Sequence, residues 1–150
     1  MGIDMSTYDT FADRTAITDL TISYTWALDQ HEFERLREVF LPDATFNVAG
    51  VPLSGIDAII EKVSGSLSPL DDSQHIISNH QIRIDGDTAT SRCYLQAQHV
   101  RNAADGGPNY IFAGRYEDEL VRTADGWRIA KRSLVHMWTE GNPAVTRPKK

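Results

Sequence analysis

A chain of 150 residues with 41% apolar and 24% charged residues is long enough to bury a core and too ordinary in composition for a fibre or a disordered segment. Its 15 basic and 21 acidic residues leave a net charge of -6 with no basic stripe, which excludes the clustered cations that nucleic acid requires. The single Cys93 permits no internal disulfide, Met1 to Thr7 lacks the features of a signal peptide, and no run of about 18 apolar residues occurs, so a cytoplasmic protein without a membrane span is expected.

From Phe11 to Leu28, the residues Ile17, Leu20, Tyr24 and Leu28 recur at helical spacing, with Asp9 or Thr10 as the expected cap. Phe33, Leu36, Val39 and Phe40 mark a second, short helix, which Pro42 and Asp43 end. Thr45 to Val48 reads as a strand, followed by Gly50 and Pro52 as turn punctuation. Ser54-Gly55 opens a third helix with Ile56, Ile59, Ile60 and Val63 facing inward, closed by Gly65 to Pro69. Four strand-like runs follow, near 75–84, 88–101, 109–123 and 127–138. Turn-rich connections at Asp85-Gly86, Asn102 to Pro108 and Asp125-Gly126 imply an antiparallel meander. Three helices before a four-stranded sheet define one α+β domain over 1–150, ordered from about 9 to 140, with a frayed tail at 141–150. A strongly bent sheet wrapping the first helix would leave a cup.

Alternation along the last strand puts Trp127, Ile129, Val135 and Met137 on one face, and Ala130, Arg132, Leu134, His136 and Trp138 on the other. A face mixing Arg, His, Trp and Leu suits a ligand pocket, and equally a sheet face half covered by a subunit with Arg132 at its edge. His75 shares strand parity with Ile77 and Asn79, while His80 lies opposite; either alone is most simply structural. Asp29 ends the first helix, where the helix dipole disfavours a carboxylate, so a cation or imidazole partner is expected. No Gly-x-Ser-x-Gly elbow or Gly-rich phosphate loop occurs, and Cys93 has no adjacent base. His75, His80, His99 and His136 lack any recognised metal-ligand spacing, so no metal is expected.

The segments "AITDLTISYTWALDQHEFERLREVFLPDATF", "HIISNHQIRIDGDTATSRCYL" and "GRYEDELVRTADGWRIAKRSLVH" together resemble the SnoaL-like branch of the nuclear transport factor 2-like superfamily, over about Asp9 to Trp138. The resemblance implies a conical α+β barrel with a deep apolar pocket. Within that superfamily, Asp29 in "ALDQ", His75 in "QHIISN" and Arg132 in "GWRIAKR" match functional positions of both the hexachlorocyclohexane dehydrochlorinase and the bile-acid 7α-dehydratase, and Tyr24 matches a position of the dehydratase. It thus implies His75 as base, Asp29 as its orienter, and Arg132 with Tyr24 at the leaving group, without metal or organic cofactor. Trp26, Tyr110, Phe112 and Trp138 are the candidate pocket wall for a hydrophobic cyclic substrate. Five residues on a helix rotate a side chain by about 140°, so the helix would have to loosen or end before Asp29 for Tyr24 and Asp29 to share a cavity. The same pocket would serve an isomerase or polyketide cyclase, or a non-catalytic binding or structural subunit. A homo-oligomer, trimer or dimer, is expected.

Overall fold

The computed structural model describes residues 5–149. Its first helix, α1 (Met5–Asp29), is continuous, so Asp9 and Thr10 lie inside it rather than capping it. Ile17, Tyr24 and Leu28 are buried at the expected spacing, with Leu20 partly buried; Thr21, Thr25 and Ala27 complete the stripe and Phe11 stays in solvent. The helix ends in a Schellman stop: His31 takes a left-handed φ of 55°, and the amides of His31 and Glu32 reach back to the carbonyls of Leu28 and Ala27 at 3.2 and 2.9 Å. Asp29 therefore sits in the last regular turn.

The expected second helix is a short 3-10 helix, Phe33–Glu38, with Leu36 buried. Phe40 belongs instead to β1 (Phe40–Val48), which also contains Pro42 and Asp43. The strand tolerates Pro42 because its register with the last strand is broken between Phe40 and Thr45, so no ladder hydrogen bond is lost there. Gly50, at a φ of 94°, turns β1 into β2 (Val51–Ser54), a short edge strand whose Pro52 had read only as a turn. The next helix, α2 (Ile56–Leu67), buries Ile56, Ile59, Ile60 and Val63 as its spacing requires.

The remaining strands are β3 (Asp72–Asp85), β4 (Thr88–Val100), β5 (Asn109–Thr123) and β6 (Gly126–Gly141). They form the expected meander, and β1 joins β6 in parallel, giving the order β2-β1-β6-β5-β4-β3. The cone is thus an open, curved sheet with β2 and β3 at its edges. Bulges bend it: one in β3 between Ser78 and Gln81, where Asn79 has a φ of 59°, and two in β6, at Ala130 and Met137. At the second β6 bulge a Cβ on Gly114 would lie 2.4 Å from the Val135 carbonyl oxygen, so only glycine allows the strands this close.

The bulges also correct the face assignment of β6. Trp127 and Ile129 point into the core, and past Ala130 so does Arg132, although simple alternation had set it on the opposite face. The tail expected from 141 is likewise structured. Pro143–Thr146 forms a second 3-10 helix, Val145 is fully buried, and the Arg101 guanidinium donates to the carbonyls of Ala144 and Val145 at 2.6 and 2.9 Å. Among the described residues no helix is long and apolar enough to cross a membrane.

Candidate active site

The sheet's concave face, α1 and α2 enclose a cavity of about 300 Å³. Its walls include Leu28 from α1, Phe46 from β1, Val63 and Leu67 from α2, and Leu95 and Ala97 from β4. His75 reaches this cavity from edge strand β3 and Tyr24 reaches it from α1.

Asp29 and His75 are joined by a 2.6 Å hydrogen bond between Oδ1 and Nδ1. The carboxylate accepts two more: from the Ser73 hydroxyl onto Oδ1 and from the His75 backbone amide onto Oδ2, both at 2.9 Å. Three donors at the end of a helix remove the misfit of an anion there, since they supply the partners that the helix dipole does not. Partial burial opposes the charge on Asp29, but the bonds from the His75 ring, the His75 amide and Ser73 outweigh it and hold the carboxyl below its ordinary range. An ionised Asp29 fixes the His75 tautomer with its proton on Nδ1. The Nε2 lone pair has no protein partner among the described residues.

The rotation between Tyr24 and Asp29 is resolved without loosening the helix. Asp29 does not enter the cavity; it grips His75 from a groove on the outer side of β3, while Tyr24 points inward from the preceding turn. Among the described residues only His75 lines both spaces.

Arg132 is placed differently from the expectation. Its side chain is fully buried behind the cavity wall, with Nε and Nη2 donating to the two Asp118 carboxylate oxygens at 2.7 and 2.9 Å. The guanidinium lies in the corner formed by the edge-to-face rings of Tyr24 and Tyr116, 4.4 and 4.0 Å from their centroids. Nη1 is buried without a partner. The tyrosines, not Arg132, face the cavity, so Arg132 acts on its contents through their rings. Burial pushes both phenols above their ordinary range, keeping them protonated donors, with the Arg132 charge as the leading opposing influence on Tyr24.

Of the candidate wall residues, Tyr110 and Phe112 line the cavity; Trp26 and Trp138 do not. Trp26 is 60% exposed on the outer side of α1, and Trp138 is 42% exposed on the convex face of the sheet, beyond the Met137 bulge. Burial pushes the Cys93 thiol up to about 11, which leaves it unreactive at neutral pH.

His99 and Tyr116 are among the cavity residues that sequence reasoning did not place there. His99, from β4, stands edge-on to His75 with ring centroids 5.6 Å apart and its Nδ1 3.2 Å from the Tyr110 carbonyl, so Nδ1 donates and Nε2 accepts. Burial, then the neighbouring His75, lowers its pKa to about 4, so it is neutral at pH 7. The signal was present in the parity of β4, where Ala89, Ser91, Cys93, Leu95, Ala97 and His99 all point inward. Tyr116 and Asp118 share an inward parity with Leu120, and a carboxylate in that row announces a buried partner. The other histidines serve elsewhere: His80 Nε2 bonds the Thr21 hydroxyl at 2.9 Å, and His136 packs on Phe112. No three His, Cys, Asp or Glu side chains among the described residues converge as metal ligands.

An open cone of this topology, closed by helices over an apolar cavity with a His–Asp pair at its edge, defines an NTF2-like α+β domain. The chain belongs to the SnoaL-like domain family, which it matches over residues 9–133. It is 37% identical over 126 residues to an uncharacterised protein of Mycobacterium tuberculosis (strain H37Rv), covering 81% of this chain and 83% of that one. Among solved structures it resembles a candidate scytalone dehydratase of Novosphingobium aromaticivorans, with 25% identity, a TM-score of 0.83 and 91% of each chain covered. A hexachlorocyclohexane dehydrochlorinase of Novosphingobium barchaimii shares the fold alone, with 20% identity, a TM-score of 0.79, and 91% and 94% of the two chains covered.

Proposed function

We propose that this chain is a cofactor-independent lyase that abstracts a carbon-bound proton from a hydrophobic cyclic small molecule. The observation that carries the reading is the 2.6 Å Asp29–His75 bond, which leaves the Nε2 lone pair as the free acceptor on a cavity-lining imidazole. In the elimination, Nε2 takes the proton and the C–H electron pair forms the new double bond. The bond to a hydroxide or halide on the neighbouring carbon breaks, and the leaving group departs with its electrons. Asp29 stabilises the imidazolium that results, a general-base contribution of about 10²–10⁴-fold. Tyr24 donates a hydrogen bond to the leaving group, and Arg132 behind it strengthens that donor without touching substrate. Tyr110 and Phe112 hold the ring of the substrate. The family, and the elimination enzymes named among structures of the same fold, support this chemistry.

The reading includes a cytoplasmic homo-oligomer, either trimer or dimer. The convex face exposes Ile76, Tyr94, Met137 and Trp138 together, an apolar patch of the kind that subunit contacts cover.

The test is turnover of a panel of cyclic β-hydroxy ketones and polychlorinated cyclohexanes in deuterated water by the wild type, His75→Ala and Asp29→Asn. Elimination that both variants abolish is expected. Deuterium uptake or double-bond migration without a lost group would make the chain an isomerase with the same base. Turnover and ligand binding left unchanged by both variants would end the catalytic reading.

A further inference from the structure

The two ends of the cavity differ in charge, and the difference bears on what fits there. Among the described residues no lining side chain is a carboxylate. The deep end is apolar apart from its histidines and phenols. The solvent end holds two cations from distant parts of the chain, Lys62 on α2 and Arg147 just past the second 3-10 helix. Both are exposed, and neither side chain has a hydrogen-bond or ion-pair partner among the described residues. Arg35, Arg37, Arg115, Arg122 and Arg132 are by contrast tied to carboxylates, and Arg83 and Lys131, which also lack partners among the described residues, line a convex-face groove beside Glu117 and Glu119. In a chain of net charge -6, two untied cations with no acid beside them among the described lining residues make a local site for an anion. Ser66, one turn along α2 from Lys62, adds a hydroxyl at the same opening.

The position of Arg147 is built. Its segment is held by the buried Val145 and by the two bonds from Arg101, and this docking brings Thr146 and Arg147 to the cavity. We propose that the substrate is amphiphilic: a small hydrophobic ring system occupies the cavity and a single anionic group, carboxylate or sulfonate, stays at the opening between Lys62 and Arg147. The anion keeps much of its water there, so its recognition is modest, about tenfold for two exposed pairs. Its use is orientation, since fixing the charged end at the opening directs the ring toward His75. The inference rests on the lyase reading only for the word substrate, because the charge preference itself concerns binding.

The probes are 8-anilinonaphthalene-1-sulfonate and N-phenyl-1-naphthylamine, which share a fluorescent ring skeleton and differ by the sulfonate. Binding to the full chain is measured by fluorescence titration. The sulfonate is expected to bind about tenfold tighter at low ionic strength, with the gap closing in high salt. Lys62→Gln with Arg147→Gln should close the gap and leave the neutral probe unchanged. Arg83→Gln with Lys131→Gln, on the convex face, should keep it. Absence of saturable sulfonate binding, equal affinities in the wild type, or a gap that survives the Lys62→Gln/Arg147→Gln pair would overturn the proposal. His75→Ala separates the two claims. A gap that persists in a protein whose turnover ignores His75→Ala would sink the lyase reading alone, and turnover lost with no gap in the wild type would sink only the charge preference.

Discussion

Two acid–base pairs lie at opposite sides of one cavity, and they are built on opposite principles. Arg132 and Asp118 are wholly buried and joined by two bonds, with the guanidinium in the corner formed by the edge-to-face rings of Tyr24 and Tyr116. Neither member can exchange its proton or partner without opening the core, so the pair is a fixed charge distribution. Asp29 and His75 sit at the sheet edge, with a single ring bond and an open nitrogen. That pair can change protonation state without a change of fold. A site that must both move a proton and hold developing charge benefits from separating the two tasks in this way.

The contrast is broken most severely at the buried pair. Asp118→Ala strands the Arg132 charge in the core, and a loss of about 3–5 kcal/mol in urea-unfolding free energy is expected. The edge pair should respond in the other currency: Asp29→Asn is expected to cost about 10²-fold or more in turnover while moving stability by less than the Asp118 change. Circular dichroism and kinetics on the same preparations separate the two outcomes.

Acid titration sharpens the comparison. His99 is neutral in the folded chain down to about 4, against 6.5 when unfolded. The unfolded chain therefore binds the proton first, and stability is lost as pH falls from 6.5 toward 4, by up to about 3 kcal/mol. Asp29 acts in a lower window, since its depressed carboxyl pKa contributes stability above the unfolded value that is lost only as pH falls through the folded one. His99→Gln should flatten the first slope and leave the second. Tyr24→Phe is smaller still, about tenfold in turnover, because Tyr116, which also lies against Arg132 and lines the cavity, remains to donate. The least effect belongs to Trp26→Ala, with stability within about 0.5 kcal/mol and turnover unchanged, since the ring is in solvent.

The edge pair was more legible in the sequence than the buried one. Asp29 stood out only as a carboxylate at the wrong end of a helix and His75 alone read as structural; the family resemblance is what paired them. Arg132 was found, but its surroundings were hidden by the Ala130 bulge, which reverses the parity of β6. A one-residue insertion in a strand leaves no compositional mark, so alternation read across it fails. For the same reason Trp138, past the Met137 bulge, was assigned to the wrong face. The C-terminal segment was misread because its basic end, Arg147-Pro148-Lys149-Lys150, looks like a tail, whereas one apolar residue, Val145, anchors the turn before it. The helices and the meander came through because their signals are local, while the β1–β6 parallel pairing joins distant segments and has no local signature.

The open nitrogen of His75 is the feature on which the functional reading turns, and nitrogen-15 NMR of the histidine rings observes it directly. With the imidazole neutral, the His75 spectrum is expected to give a protonated Nδ1 and an unprotonated Nε2, with that preference weakened in Asp29→Asn. A wild-type ring carrying its proton on Nε2 would contradict the assignment of His75 as the base.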